Sequence, residues 1–117
     1  MQSSRSYGNI AEDYACELLD KQGYKIIERN FSCKIGEIDI IASDGDTLVF
    51  VEVKARWSKK FGKPEEAVTD RKLRKIKKVL QFYLANHKVK FKKYRIDVVA
   101  LEMRKHIVIS EKLIKVT

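Results

Sequence analysis

Residues 36–54 read GEIDIIASDGDTLVFVEVK. Two apolar runs, Ile38-Asp39-Ile40-Ile41-Ala42 and Leu48-Val49-Phe50-Val51-Glu52-Val53, flank the turn-forming segment Ser43-Asp44-Gly45-Asp46-Thr47. That is the pattern of a β-hairpin, with Asp-Gly as its strongest local signal. Strand side chains alternate between faces, so Glu37 and Asp39 share one face of the first strand, and Glu52 and Lys54 one face of the second. If Asp44-Gly45 forms the two-residue loop, Ser43 opposes Asp46, Asp39 opposes Phe50 and Glu37 opposes Glu52. Asp39, Glu52 and Lys54 then lie on the same face.

Two carboxylates brought together repel, and one takes up a proton unless a cation sits between them. Hard oxygen donors suit Mg²⁺ or Mn²⁺, which use one or two protein carboxylates and keep positions for water and phosphate oxygens. A lysine two residues beyond the second acid could orient or help deprotonate an attacking water and stabilise charge on phosphorus. This is the donor set of a metal-dependent phosphodiesterase. The same residues on the outer face of an amphipathic hairpin would simply be solvated. Against that, both runs are nearly continuous in apolar residues, as in strands covered on two faces, where acids are expensive to bury without a purpose.

Outward from the hairpin, an amphipathic helix is expected from about Gly8 to Gln22, stopped by Gly23. Strands are expected at about 24–31, 36–43 and 47–54. Residues 55–64 form a loop carrying Arg56, Lys59, Lys60 and Lys63 together with Trp57 and Phe61. A long helix follows, capped by Thr69 or Asp70 and ending near Asn86, because Pro64 cannot sit inside a central strand. Two further strands, about 94–102 and 106–110, complete the order αβββαββ. That order fits a single α/β domain over residues 1–117, a mixed central sheet flanked by helices. At 117 residues and 44% hydrophobic composition the chain can build one core and is too short for two.

Charge limits the partners. Lys and Arg number 25 against 16 Asp and Glu, a net +9, which favours a polyanion. Arg71 to Lys78 packs six cations into eight residues with no balancing acid. On a helix, Leu73, Ile76, Leu80, Tyr83 and Leu84 would form the buried stripe, leaving Arg71, Lys72, Arg74, Lys75 and Lys78 on exposed faces for phosphate contact. Glu12 shares a helix stripe with Cys16 and Leu19, and either joins the acidic site or pairs with a nearby cation. Asp97 alternates on its strand with Arg95 and Val99, and a structural ion pair is expected for it rather than metal ligation. Trp57 and Phe61 either stack on unpaired bases or anchor the loop. His87 and His106 lack partners at ligand spacing, and Cys16 and Cys33 read as reduced thiols. No apolar run reaches the roughly 18 to 20 residues that span a bilayer, and the opening MQSSRSYGNIAEDY lacks an apolar signal core, so a cytoplasmic protein is expected.

The strings GEIDIIASDGDTLVFVEVKAR, FGKPEEAV and YRIDVVAL, with YGNIAEDYACELLDKQGYKIIERNF at the start, resemble the bacterial YraN family across almost the whole chain. That family is counted among the PD-(D/E)XK nuclease-like folds and is similar to archaeal Holliday junction resolvases. The resemblance implies a restriction-endonuclease-like fold, with Asp39 as the first motif acid, Glu52 as the second and Lys54 as the motif lysine. Glu12 matches the helix acid that such resolvases add to their site. Ile38 stands where the motif's name has proline, and Ala11 where a glycine is expected before the helix acid. On this basis Asp39, Glu52 and the Val53 carbonyl would hold Mg²⁺ or Mn²⁺. The expected activity is DNA endonuclease, branched or junction DNA being a candidate substrate. The basic helix and the 56–63 loop would grip the backbone, and a homodimer is implied for cutting two strands. A non-catalytic nucleic-acid-binding module on the same fold, acting in repair or RNA processing, is the alternative; a structural or subunit-interaction protein is a third class.

Overall fold

The computed structural model describes residues 6–57, 62–63, 66, 68–88 and 90–116. Its elements are α1 (Ser6–Lys21), β1 (Lys25–Ser32), β2 (Glu37–Asp44), β3 (Thr47–Arg56), α2 (Asp70–Asn86), β4 (Lys93–Arg104) and β5 (Ile107–Lys115). The five strands form one sheet in sequential order. β1, β2 and β3 are an antiparallel meander, α2 carries the chain over to β4 parallel to β3, and β5 returns antiparallel to β4. This is the expected order αβββαββ and an α/β fold of the restriction-endonuclease-like kind. The last strand runs five residues beyond the expected end at 110.

Each helix covers one face. Ala11, Ala15, Leu18 and Leu19 recur at helical spacing and pack on Ile40, Ala42, Val49, Val51, Val99, Leu101 and Met103. Helix α1 ends with Tyr24 N–H donating to the Leu19 carbonyl and Gly23 N–H to that of Asp20, which hands the chain directly to β1. On the other face Ile76, Val79 and Tyr83 of α2 pack on Ile38, Ile41, Leu48, Phe50 and Ile96. Thr69 is the cap of α2, its hydroxyl accepting from Lys72 N–H at 3.2 Å. The buried stripe therefore includes Val79, which the apolar periodicity does not single out. Leu73, Leu80 and Leu84 are only partly buried against the same cluster.

The hairpin register differs from the sequence expectation. Asp44 pairs with Thr47 and Ile41 with Phe50, so the two-residue loop is Gly45-Asp46. Gly45 supplies the positive φ, 63°, at the first loop position. Asp39 therefore does not oppose Phe50, nor Glu37 Glu52. Every pair slides by two residues, which preserves the faces because the side-chain period is also two. No helix among the described residues is long and apolar enough to cross a membrane.

Candidate metal and phosphate site at a strand fork

The β2–β3 ladder stops at Ile40 and Val51. One step further, Asp39 would face Glu52, and there the two strands part. Asn30, on β1 at the level of Asp39, takes a left-handed φ of 57°, and the β1–β2 pairing passes from Arg29↔Ile40 to Phe31↔Ile38 across it. Both strands roll over at this point. Ile40 packs under α1 while Ile38, two residues away, packs under α2. Arg29 likewise reaches the α1 acids while Phe31 joins the α2 cluster. The roll leaves Val53 N–H without a ladder partner, and the Asp39 carboxylate accepts from it at 2.7 Å. A residue's N–H and C=O leave a strand on the same edge. The Val53 carbonyl thus points toward Asp39 as well.

Glu52 is only 7% exposed. Its carboxylate lies 3.0 Å from Lys72 Nζ and 3.6 Å from Lys54 Nζ. Asp39 is pushed up to about 7, first by burial and then by the Glu52 charge; the Val53 N–H pulls it down less, and Glu12 adds to the rise. Lys54 is lowered by burial and by its neighbour Lys72. Gly36, Glu37, Asp39, Glu52, Lys72, Lys75, Ile76 and Val79 enclose a cavity of about 400 Å³ against α2. A Cβ at Gly36 would stand 3.2 Å from Val79 and 3.3 Å from Lys75, so the missing side chain is what lets α2 sit this close.

Sequence reading and structure agree in part. Asp39, Glu52 and Lys54 come together as expected from their shared face. Glu12 approaches from the α1 side through the fork, held by Arg29 at 3.4 Å; the Asn30 amide, turned nitrogen-inward, donates to both its oxygens at 3.1 and 3.2 Å. Of the two roles expected for Glu12, the cation pairing is present, and toward Asp39 it adds its charge without joining the acids as a third member. Among the described residues no group of three His, Cys, Asp or Glu side chains is gathered to hold a metal. The residues that could hold a divalent cation are the two carboxylates Asp39 and Glu52, with the Lys72 ammonium 3.0 Å from Glu52.

Lys72 is the main correction. It is half-buried against Glu52, not on an open face. Arg71, Arg74, Lys75 and Lys78 are exposed as expected, with Lys75 also at the cavity, and Arg56 is half-buried at the end of β3. Lys63 is exposed, while Lys59, Lys60 and Phe61 lie outside the described residues. Trp57 donates through Nε1 to the Lys105 carbonyl at 2.8 Å, as a loop anchor would. Asp97, fully buried, is held by Arg95 at 2.7 Å and by the Tyr24 hydroxyl at 2.5 Å, the expected structural pair. Cys16 and Cys33 are both free. Asn30 carries no signal in the sequence, where it reads as an ordinary strand residue.

Sheet, flanking helices and acidic fork together define an α/β protein of the restriction-endonuclease-like class. Residues 11–101 match the model of Uncharacterised protein family UPF0102. A UPF0102 protein of Caldicellulosiruptor saccharolyticus is 49% identical over 114 residues, 97% of both chains. Another from Dictyoglomus thermophilum is 42% identical, covering 88% of this chain and 87% of its own. A third, from Persephonella marina, is 47% identical over 80% of this chain and 81% of its own. The chain belongs to UPF0102, the family whose YraN-type strings its sequence resembles.

Proposed function

We infer that this protein is a Mg²⁺- or Mn²⁺-dependent DNA endonuclease, with branched or junction DNA as its candidate substrate and the cytoplasm as its compartment. The observation that carries this reading is the placing of Asp39 and Glu52 together on the cavity at the fork, where burial and then the Glu52 charge lift Asp39 to about 7. Asp39, Glu52 and the Val53 carbonyl would hold the ion. A bound divalent cation would supply Lewis acidity to a phosphate oxygen and lower the pKa of a water. Lys54 stands beside Glu52 with its ammonium destabilised, fit to orient the water and to take or give a proton. Asp39 is fixed by the Val53 N–H, and Glu12 adds negative charge from the α1 side. Arg71, Arg74, Lys75 and Lys78 offer phosphate contacts, which position a duplex without reading its sequence. A homodimer would present two such sites to two strands.

A binding module that does not cut draws on one observation, that no third acid is gathered at the site among the described residues. Incubating a labelled four-way junction and a linear duplex with Mn²⁺ separates the readings. The endonuclease reading predicts cleavage by wild type and its loss in Asp39→Ala and Lys54→Ala. Binding without cleavage supports the module, and equal cleavage by wild type and both variants marks contamination and removes the assignment.

A further inference from the structure

Helix α2 is anchored by Ile76, Val79 and Tyr83. One turn before Ile76 the same stripe reaches Lys72, where an apolar residue would continue the core. Its ammonium stands 3.0 Å from Glu52, and its backbone N–H is fixed by the Thr69 cap at 3.2 Å. A cation in the first turn of a helix opposes the macrodipole, and Arg71, Arg74 and Lys75 crowd it further. Glu52, with Asp70 in the same first turn, offsets that cost. Lys54 also contacts Glu52 but sits two residues along the same strand, tied to it by position. Lys72 comes from a different element on a long side chain, and is 37% exposed against 25% for Lys54.

We propose that Lys72 is an exchangeable stand-in cation, holding Glu52 while the site awaits substrate and leaving it for a phosphate oxygen of a nucleic-acid backbone laid along α2. This rests on the reading that Asp39 and Glu52 hold a divalent metal, and adds a partner for Lys72 and a coupling between two ligands. Lys72 and Lys54 both lie on Glu52 Oε2, and a divalent ion brought to the same carboxylate at the usual ~2.1 Å meets the repulsion of those like charges. Moving Lys72 away relieves that repulsion, and a phosphate gives it somewhere to go. Metal and nucleic acid therefore favour each other, by the same factor in both directions. The consequence for function is that the site is armed where DNA is bound.

The test is calorimetric titration of Mn²⁺ into the full chain, with and without a cleavage-resistant phosphorothioate duplex. Lys72→Met should bind Mn²⁺ roughly tenfold more tightly than wild type when DNA is absent. Duplex should raise the wild-type affinity by a similar factor and leave that of Lys72→Met nearly unchanged. Lys77→Met removes the same charge from an exposed position of the helix and should shift Mn²⁺ affinity by less than about twofold. Equal Mn²⁺ affinity in wild type and Lys72→Met, with binding still lost in Asp39→Ala, overturns the inference alone. Mn²⁺ binding that survives Asp39→Ala, or is missing from wild type and Lys72→Met alike, sinks the metal reading and this inference with it.

Discussion

Two acid clusters sit in the same sheet and are treated in opposite ways. At the turn end, Asp97 is wholly buried, yet its neighbours answer its charge: Arg95 bonds both its oxygens at 2.7 and 3.1 Å, and Tyr24 donates to it. Arg95 reaches on to Asp44 at 2.9 Å and to the Tyr24 hydroxyl at 2.8 Å. Arginine's pKa is raised there, first by Asp97, as expected of a pair that stabilises both ions. At the fork, burial first and then a like neighbour, Glu52 for Asp39 and Lys72 for Lys54, leave Asp39 raised and Lys54 lowered. One cluster is finished within the protein. The other keeps a raised carboxyl beside a lysine-held glutamate, and such perturbed groups in a cavity mark candidate sites.

The sharpest way to break the contrast is to remove one acid from each cluster. Asp97→Ala takes from half-buried Arg95 its main acceptor, leaving Asp44 and the Tyr24 hydroxyl, and should cost about 3 kcal/mol in urea unfolding, as breaking a buried pair does. Asp39→Asn keeps an acceptor for Val53 N–H and removes a like charge. It should stabilise the metal-free protein by about 1–2 kcal/mol at pH 8, so a decrease there would refute the contrast.

The same difference has a pH signature. Asp39 loses its proton near 3.8 when unfolded and near 7 when folded, so the folded state binds the extra proton between those values. Stability of the metal-free protein should therefore fall as pH rises from about 4 to about 7, and that component should vanish in Asp39→Asn. A pH series of melting curves on the two proteins checks it. Thr69→Ala removes the cap that fixes the Lys72 backbone and should cost about 1 kcal/mol. The smallest change is expected from Arg71→Ala/Lys78→Ala. Stability should move by less than about 0.5 kcal/mol, while the slope of log affinity for duplex against log salt should shrink by about 0.9 for each phosphate that is no longer neutralised.

Much of this is legible from the order of residues alone. The long apolar runs with embedded acids mark buried central strands, and Asp39, Glu52 and Lys54 meet because a hairpin preserves faces even when its register slides by two. The slide is illegible because Asp44-Gly45 and Gly45-Asp46 are both acceptable loops, and the local sequence does not choose between them. Lys72 escapes for a different reason. A helix stripe is inferred from apolar residues, and a lysine on that stripe is invisible unless its partner, Glu52 on another element, is known. Asn30 is the hardest case. Its left-handed backbone turns two strands over and opens the fork, yet an asparagine within KIIERNFS carries no local signal of it.

The central claim is that the fork sets Asp39 beside Glu52, whose charge is met by the Lys72 and Lys54 ammoniums, so that a divalent cation can join the two acids. Thermal unfolding of wild type and Asp39→Asn at pH 8, each with and without saturating Mn²⁺, tests it most directly. The account predicts a crossover: Asp39→Asn melts higher without the ion, and Mn²⁺ raises the wild-type transition but not that of the variant. A transition raised equally in both proteins, or in neither, would contradict it.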